Sequence, residues 1–332
     1  MPLSDYPRVS LAHLPTPLEF LPRLTKHLGG PNVYVKRDDC TGLGTGGNKT
    51  RKLEFLMADA IKKKADLIIT QGAVQSNHAR QTAAAAAKIG MKCELVFEKR
   101  VADATTAYKE SGNVFLDKLF GANIHEVANG SDMTKEMEDL SDQLREKGSN
   151  PYIIPGGGSN PIGALGYVDC VIELIAQAKS KDITFDSIIM ATGSAGTQAG
   201  LVVGSKITKS NIPVLGVGVN APKEAQEEKV FKLASDLSDF MGLPSLVSRD
   251  DIVANCDYVG DGYGIPTLGM NKALLQLARL EGLLFDPVYS GKGLAGMIDL
   301  IGKGYFENQK NIVFIHTGGA AGLFAYHDIL ET

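Results

Sequence analysis

The chain has 332 residues, 34 Lys and Arg against 38 Asp and Glu, a net charge of −4 and 44% hydrophobic residues; this is a globular composition, long enough for about two domains. Its scattered basic residues lack the electrostatic footprint of a nucleic-acid binder. No run of 18 apolar residues occurs, and Pro2, Asp5, Pro7 and Pro15 stand where a secretion signal needs an apolar core, so a soluble cytoplasmic protein without membrane or nucleic-acid partners is expected.

In chain order, a β-branched strand pattern at 33–36 leads to a helical pattern at 49–64, and a strand at 67–70 to a helix at 77–90. Strands at 94–97, 124–127, 152–154 and 187–190 lead in the same way to helices at 113–120, 133–147, 163–178 and 197–207. A strand at 214–219 is followed by helices at 224–240, 267–281 and 293–303 before the last strand at 312–315. This alternation predicts an α/β fold of mostly parallel sheets covered by helices. Cys40, Cys93, Cys170 and Cys256 form no CxxC pair and the six histidines no HExxH, so neutral thiols and no metal are expected. The 37 glycines, about 11% of the chain against a usual ~7%, gather mainly after strands and before helices, where open α/β sheets bind ligands.

Five segments of this kind carry chemistry. Gly42-Leu43-Gly44-Thr45-Gly46-Gly47-Asn48-Lys49-Thr50 misses the P-loop spacing by one residue, Asn48, and leaves Lys49 at the start of a helix. The helix's positive end disfavours an ammonium, which suits a nucleophile or base, although a plain surface lysine has the same local pattern. Gly193-Ser194-Ala195-Gly196-Thr197 follows a strand without the GxGxxG fingerprint, and Asn220 stands where a nicotinamide site needs an acid; small residues at a helix N-terminus form a cup for one phosphate, or an ordinary tight turn. Gln75-Ser76-Asn77-His78 offers a helix cap or a carboxylate clamp. His316-Thr317-Gly318-Gly319 delivers a hydroxyl to the end of the last strand, and Asp286-Pro287-Val288-Tyr289-Ser290-Gly291-Lys292-Gly293 sets a tyrosine at an expected strand end as acid, base or core residue. Jointly these supply a Schiff-base lysine, a phosphate site, a substrate anchor and a partner for a pyridine nitrogen, which is what pyridoxal phosphate requires.

The segments Lys36-Arg37-Asp38-Asp39, Gly46 to Glu54, Gln75 to His78, Asp286 to Tyr289 and His316 to Gly319 together resemble the D-cysteine desulfhydrase and 1-aminocyclopropane-1-carboxylate (ACC) deaminase family, whose members have the tryptophan-synthase-β type (fold type II) pyridoxal-phosphate fold. The likeness runs from about Leu14 to Tyr326. It implies that Lys49 forms the Schiff base, that Asn48 and Lys52 assist the cofactor, and that Gly193, Ser194, Ala195, Gly196 and Thr197 hold its phosphate. Thr317 would face the ring nitrogen. Ser76, Asn77 and His78 would hold the substrate carboxylate, with Tyr263 and Tyr289 beside the substrate and Lys49, Tyr289 and Ser76 as the catalytic set. The resemblance further implies a small domain at 50–163 inserted in a large one formed by 1–49 and 164–332, and a homodimer.

Within that family, ACC deaminases resemble DPVYEGK and HLGG at the two late motifs, which Ser290 and Thr317 break, and carry Gln where His78 stands. Residues 39–43 and 155–161 look closest to L-cysteate sulfo-lyases. A pyridoxal-phosphate-dependent carbon–sulfur lyase is therefore expected, with L-cysteate as favoured substrate giving pyruvate, sulfite and ammonia, and D-cysteine as the alternative giving hydrogen sulfide. Thr41, Tyr263 and Ser290 are the hydroxyls expected near a sulfonate.

Overall fold

The computed structural model describes residues 3–101 and 104–327. Its strands are β1 (Leu18–Phe20), β2 (Asn32–Arg37), β3 (Leu67–Ala73), β4 (Lys92–Glu98), β5 (Asn123–Val127), β6 (Pro151–Ile154), β7 (Ser187–Thr192), β8 (Val214–Gly218), β9 (Val253–Asn255) and β10 (Asn311–His316). The helices are α1 (Pro22–Leu28), α2 (Lys49–Lys62), α3 (Asn77–Ile89), α4 (Thr106–Glu110), α5 (Gly112–Leu119), α6 (Met133–Glu146), α7 (Pro161–Ser180), α8 (Gly196–Ile207), α9 (Lys223–Phe240), α10 (Leu268–Glu281) and α11 (Ser290–Gly302).

Two sheets form, ordered β1-β2-β10-β7-β8-β9 and β5-β4-β3-β6, and every pairing is parallel except β1 with β2. Successive side chains of a strand point to opposite faces, so a strand covered on both sides must be apolar throughout. That is the pattern in the larger sheet. Ile188, Met190, Val313 and Ile315 join one core with α7, α8 and α9, while Ile189, Ile312 and Phe314 join another with α10 and α11. In the smaller sheet, Ile68, Leu95 and Phe97 pack with Leu53, Leu56 and Met57 of α2 and the alanines of α3, and Leu67, Ile69 and Val96 pack with Met133 and Met137 of α6.

All eight expected strands and all nine expected helices form, with shifted ends. The short β1, β9, α1 and α4 were not anticipated, because runs of three to seven residues carry too little periodicity to read. The helix α7 is long and apolar enough by composition to cross a membrane, yet Ala164, Leu165, Val168, Val171 and Leu174 lie in the core under the larger sheet. Tyr289 is not at a strand end as expected. It stands in the N-cap position of α11 after a segment without strand structure, because the buried Asp286 carboxylate accepts from the backbone N–H groups of Val288, Tyr289 and Ser290 at 2.8, 2.7 and 3.0 Å and folds the chain into a turn.

The position of β10 decides where ligands go. It lies between β2 and β7, so the strand order reverses there, and the crevice beyond the carboxyl ends at such a reversal is where open sheets bind ligands.

Candidate active site

A cavity of about 220 Å³ opens at that crevice and is lined by both halves of the molecule. Its wall includes Asn48, Lys49, Ser76, Asn77, His78, Gly193, Ser194, Tyr263, Tyr289 and Thr317, so residues from all five sequence motifs meet there. Lys52, Ala195, Gly196 and Thr197 are not among its lining residues.

The glycine run before α2 fixes Lys49. Gly46 has φ +75°, and a Cβ there would lie 1.9 Å from the Asp39 carbonyl oxygen, so no other residue fits this turn. Asn48 does not cap the helix with its side chain. Its Nδ2 donates to Thr197 Oγ1 at 3.1 Å, which ties the start of α2 to the start of α8. Lys49 is buried, and among the described residues its ammonium makes no hydrogen bond or ion pair; it lies 5.7 Å from the centroid of the Tyr289 ring. Burial pulls its pKa down to about 8, so a nucleophilic neutral amine is accessible near neutral pH.

Behind Lys49 the chain builds an anion cradle. Lys52 is fully buried, and its Nζ donates to the Gly157 carbonyl at 3.0 Å and reaches Ser159 Oγ at 3.4 Å. Ser159 and Ser194 hydroxyls are 2.9 Å apart, and Ser159 Oγ also accepts from the Gly196 N–H at 3.2 Å at the start of α8. No carboxylate pairs with Lys52 among the described residues, and burial followed by the nearby Lys49 pushes its pKa well down. Such a collection of donors, with the N-terminus of a twelve-residue helix, is matched by a phosphate. A Cβ on Gly196 would stand 2.8 Å from Ser159 Oγ and 2.9 Å from Lys52 Nζ, filling the cradle.

The opposite wall belongs to the smaller sheet. Ser76 caps α3, its Oγ accepting from the Ala79 N–H at 3.1 Å, and among the described residues its own proton has no acceptor. His78 Nε2 lies 2.8 Å from Thr70 Oγ1, while its buried Nδ1 has no partner among the described residues. Burial, then Lys49 and Lys52, hold this imidazole neutral. The Asn77 Oδ1 accepts from Asn113 Nδ2 at 3.1 Å. Tyr289 donates its hydroxyl to the Ala191 carbonyl at 2.7 Å, and burial, then the fields of Tyr263 and Asp286, raise its pKa; it is a fixed neutral group and not a base. Thr317 follows β10, and its carbonyl accepts from the Asn48 N–H at 3.0 Å.

Two hydroxyls expected near a sulfonate are committed elsewhere. Thr41 Oγ1 is buried between the carbonyl and N–H of Gly47, at 2.9 and 2.7 Å, where it braces the glycine run. Ser290 Oγ bonds the Asp286 carboxylate at 2.6 Å, accepts from the Asp286 N–H at 3.0 Å and lies 3.1 Å from the Gly318 carbonyl. Only Tyr263 of the three lines the cavity. The sequence reading also missed Gln71, Arg100, Asn220 and Lys229, which line it too. Gln71 follows a predicted strand directly, whereas Arg100 and Lys229 carry no local signal that separates them from surface cations.

Comparison with known proteins identifies the family. A family model described as pyridoxal-phosphate dependent enzyme matches residues 9–318. Two D-cysteine desulfhydrases, from Salmonella typhi and Yersinia enterocolitica, are each 43% identical over 325 residues, covering 98% of this chain and 98% and 97% of their own. The crystal structure of an ACC deaminase homologue is similar with a TM-score of 0.89 at 39% identity, covering 99% of this chain and 96% of that one. An O-ureido-L-serine synthase, at 19% identity and a TM-score of 0.67 over 97% of this chain and 95% of its own, shares the fold. Since the match spans the lysine, the cradle and nearly the whole length of the relatives, the chain belongs to the pyridoxal-phosphate-dependent enzymes and works with pyridoxal 5′-phosphate.

Proposed function

We propose that the chain is a carbon–sulfur lyase that eliminates sulfide from D-cysteine, consuming one water and releasing pyruvate, hydrogen sulfide and ammonia. This reverses the expectation drawn from residues 39–43 and 155–161, which favoured L-cysteate. The near full-length relatives bear the name D-cysteine desulfhydrase, and Thr41 and Ser290 are turned to internal bonds instead of a sulfonate.

The observation that carries the reading is the position of Lys49, a buried amine with a pKa near 8, in one cavity with Ser76, Asn77 and Tyr289. When bound, pyridoxal phosphate supplies an electron sink that acidifies the substrate's Cα–H. Lys52, Ser194 and the start of α8 would hold its phosphate, and the Thr317 hydroxyl would offer an uncharged partner to its ring nitrogen. Lys49 Nζ takes and holds the Cα proton. The Ser76 hydroxyl and the N-terminus of α3 orient the substrate carboxylate. Tyr289 packs the reacting end as a positioner, because its proton is committed to Ala191. The family resemblance further supports a homodimer working in the cytoplasm, with the 50–163 segment as a distinct small domain.

The test is product analysis with purified, cofactor-loaded protein given D-cysteine, L-cysteate and ACC in separate reactions. Sulfide and pyruvate in equal amounts from D-cysteine are expected. Absence of sulfide overturns the proposal, and sulfite from L-cysteate would return that substrate to first place.

A further inference from the structure

Lys292 belongs to the Asp286–Gly293 motif, yet no step described so far uses it. It sits in the first turn of α11 with its side chain fully buried, and no carboxylate lies within ion-pair distance among the described residues. Its Nζ instead donates to two main-chain carbonyls, Val259 at 2.6 Å and Gly262 at 2.7 Å. Both belong to the loop between β9 and α10 that brings Tyr263 to the cavity wall.

Within the loop the Ile265 N–H reaches the Gly262 carbonyl at 3.4 Å, and the Tyr258 hydroxyl donates to the Asp299 carboxylate of α11 at 2.6 Å. Gly260, Gly262 and Gly264 adopt φ of +65°, +143° and +84°, and the segment makes no helix or strand. The Tyr326 hydroxyl donates to the Gly264 carbonyl at 3.0 Å, and the Arg100 guanidinium lies 5.4 Å from the Tyr263 ring. Arg100 follows β4 of the smaller sheet, whereas Lys292 reaches the loop from the larger one. A buried ammonium is costly unless its donors are used, and here they are spent on the backbone that flanks a cavity tyrosine. Burial lowers the Lys292 pKa to about 8 against the opposing fields of Asp261 and Asp286, so near neutrality it remains a cation with donors for both bonds.

We propose that Lys292 is a positioning residue that clamps the Val259 and Gly262 carbonyls and thereby sets Tyr263 against the bound substrate. The clamp deepens the desulfhydrase reading and rests on it for the choice of substrate only.

The chain contains no tryptophan, so Tyr263→Trp installs a single reporter on the loop. In the holoenzyme, adding Lys292→Met to Tyr263→Trp should raise acrylamide quenching of that tryptophan at least twofold; unchanged quenching overturns the clamp whatever happens to turnover. With the native tyrosine, Lys292→Met should raise KM for D-cysteine at least fivefold while cofactor content stays at the wild-type level, and Lys292→Arg should recover part of the loss. In a Tyr263→Ala background the same substitution should cost less than twofold further, and an undiminished penalty there argues for a merely structural lysine and overturns the proposal. If Lys292→Met fails to fold, Lys292→Gln, which keeps an N–H donor, carries both comparisons. If the wild type releases no sulfide from D-cysteine, the substrate reading fails and the quenching pair alone decides the clamp.

Discussion

Lys49 shows how one side chain acquires reactivity from its surroundings. Its neighbours in sequence are a glycine run, an asparagine and a threonine at a helix start, and burial in the cavity moves its pKa down to about 8. The neutral amine is the species that captures an aldehyde, and its fraction rises as pH climbs through that value. The rate at which cofactor-free protein takes up pyridoxal phosphate should therefore increase with pH through about 8 and then level off, as stopped-flow absorbance would record. Lys49→Ala should lower elimination by roughly 10²–10⁴-fold, the range of a lost general base, and should abolish the covalent cofactor adduct trapped by borohydride. Intact-protein mass spectrometry reading an adduct of unchanged yield in that variant would refute the assignment of Lys49.

At the scale of elements, the cradle is a junction of three pieces: the Gly156–Gly158 turn, the start of α8 and the first turn of α2 that carries Lys52. The turn holds Lys52 through the Gly157 carbonyl and delivers the Ser159 hydroxyl, the other two pieces contribute donors, and none would bind an anion firmly alone. Ala195 accepts φ +75° to bend β7 into α8, a conformation a non-glycine residue rarely adopts. Gly196→Ala should place a methyl between Ser159 and Lys52. The expected result is at least tenfold weaker retention of pyridoxal phosphate, measured by equilibrium dialysis, with near-native circular dichroism; full retention would show that the anion sits elsewhere.

For the whole molecule, buried neutral histidines link stability to pH. His316 stacks on Phe285 with ring centroids 3.7 Å apart, and its Nδ1 accepts from the Gly318 N–H at 3.2 Å while Nε2 lies 3.1 Å from the Leu284 carbonyl. Burial, against the attraction of Asp39, lowers its pKa from 6.5 to about 4. The unfolded chain therefore binds a proton below pH 6.5 that the folded one refuses, so the contribution present above 6.5 is lost as pH falls toward 4. At pH 5 the loss amounts to about 2 kcal/mol, at 1.36 kcal/mol per pKa unit. Urea unfolding at pH 7 and pH 5 should show the stability gap between wild type and His316→Asn narrowing by about that amount at the lower pH. A gap independent of pH would exclude His316 as a source of acid sensitivity.

The order of strands and helices was readable from the sequence because apolar periodicity reports burial locally. The motif residues that line the cavity, Lys49, Ser76, Tyr289 and Thr317 among them, were readable because glycines and small polar residues cluster wherever backbone must approach a ligand. Periodicity could not reveal that β10 inserts between β2 and β7, since strand order depends on pairing between segments far apart in the chain. It could not separate Thr41 and Ser290, whose hydroxyls brace turns, from Tyr263, which faces the cavity. Nor could it attach meaning to Lys292, Arg100 or Lys229. The role of a lysine or hydroxyl is set by the partners that long-range packing brings within about 3 Å, the reach of a hydrogen bond, and only the tertiary structure supplies those.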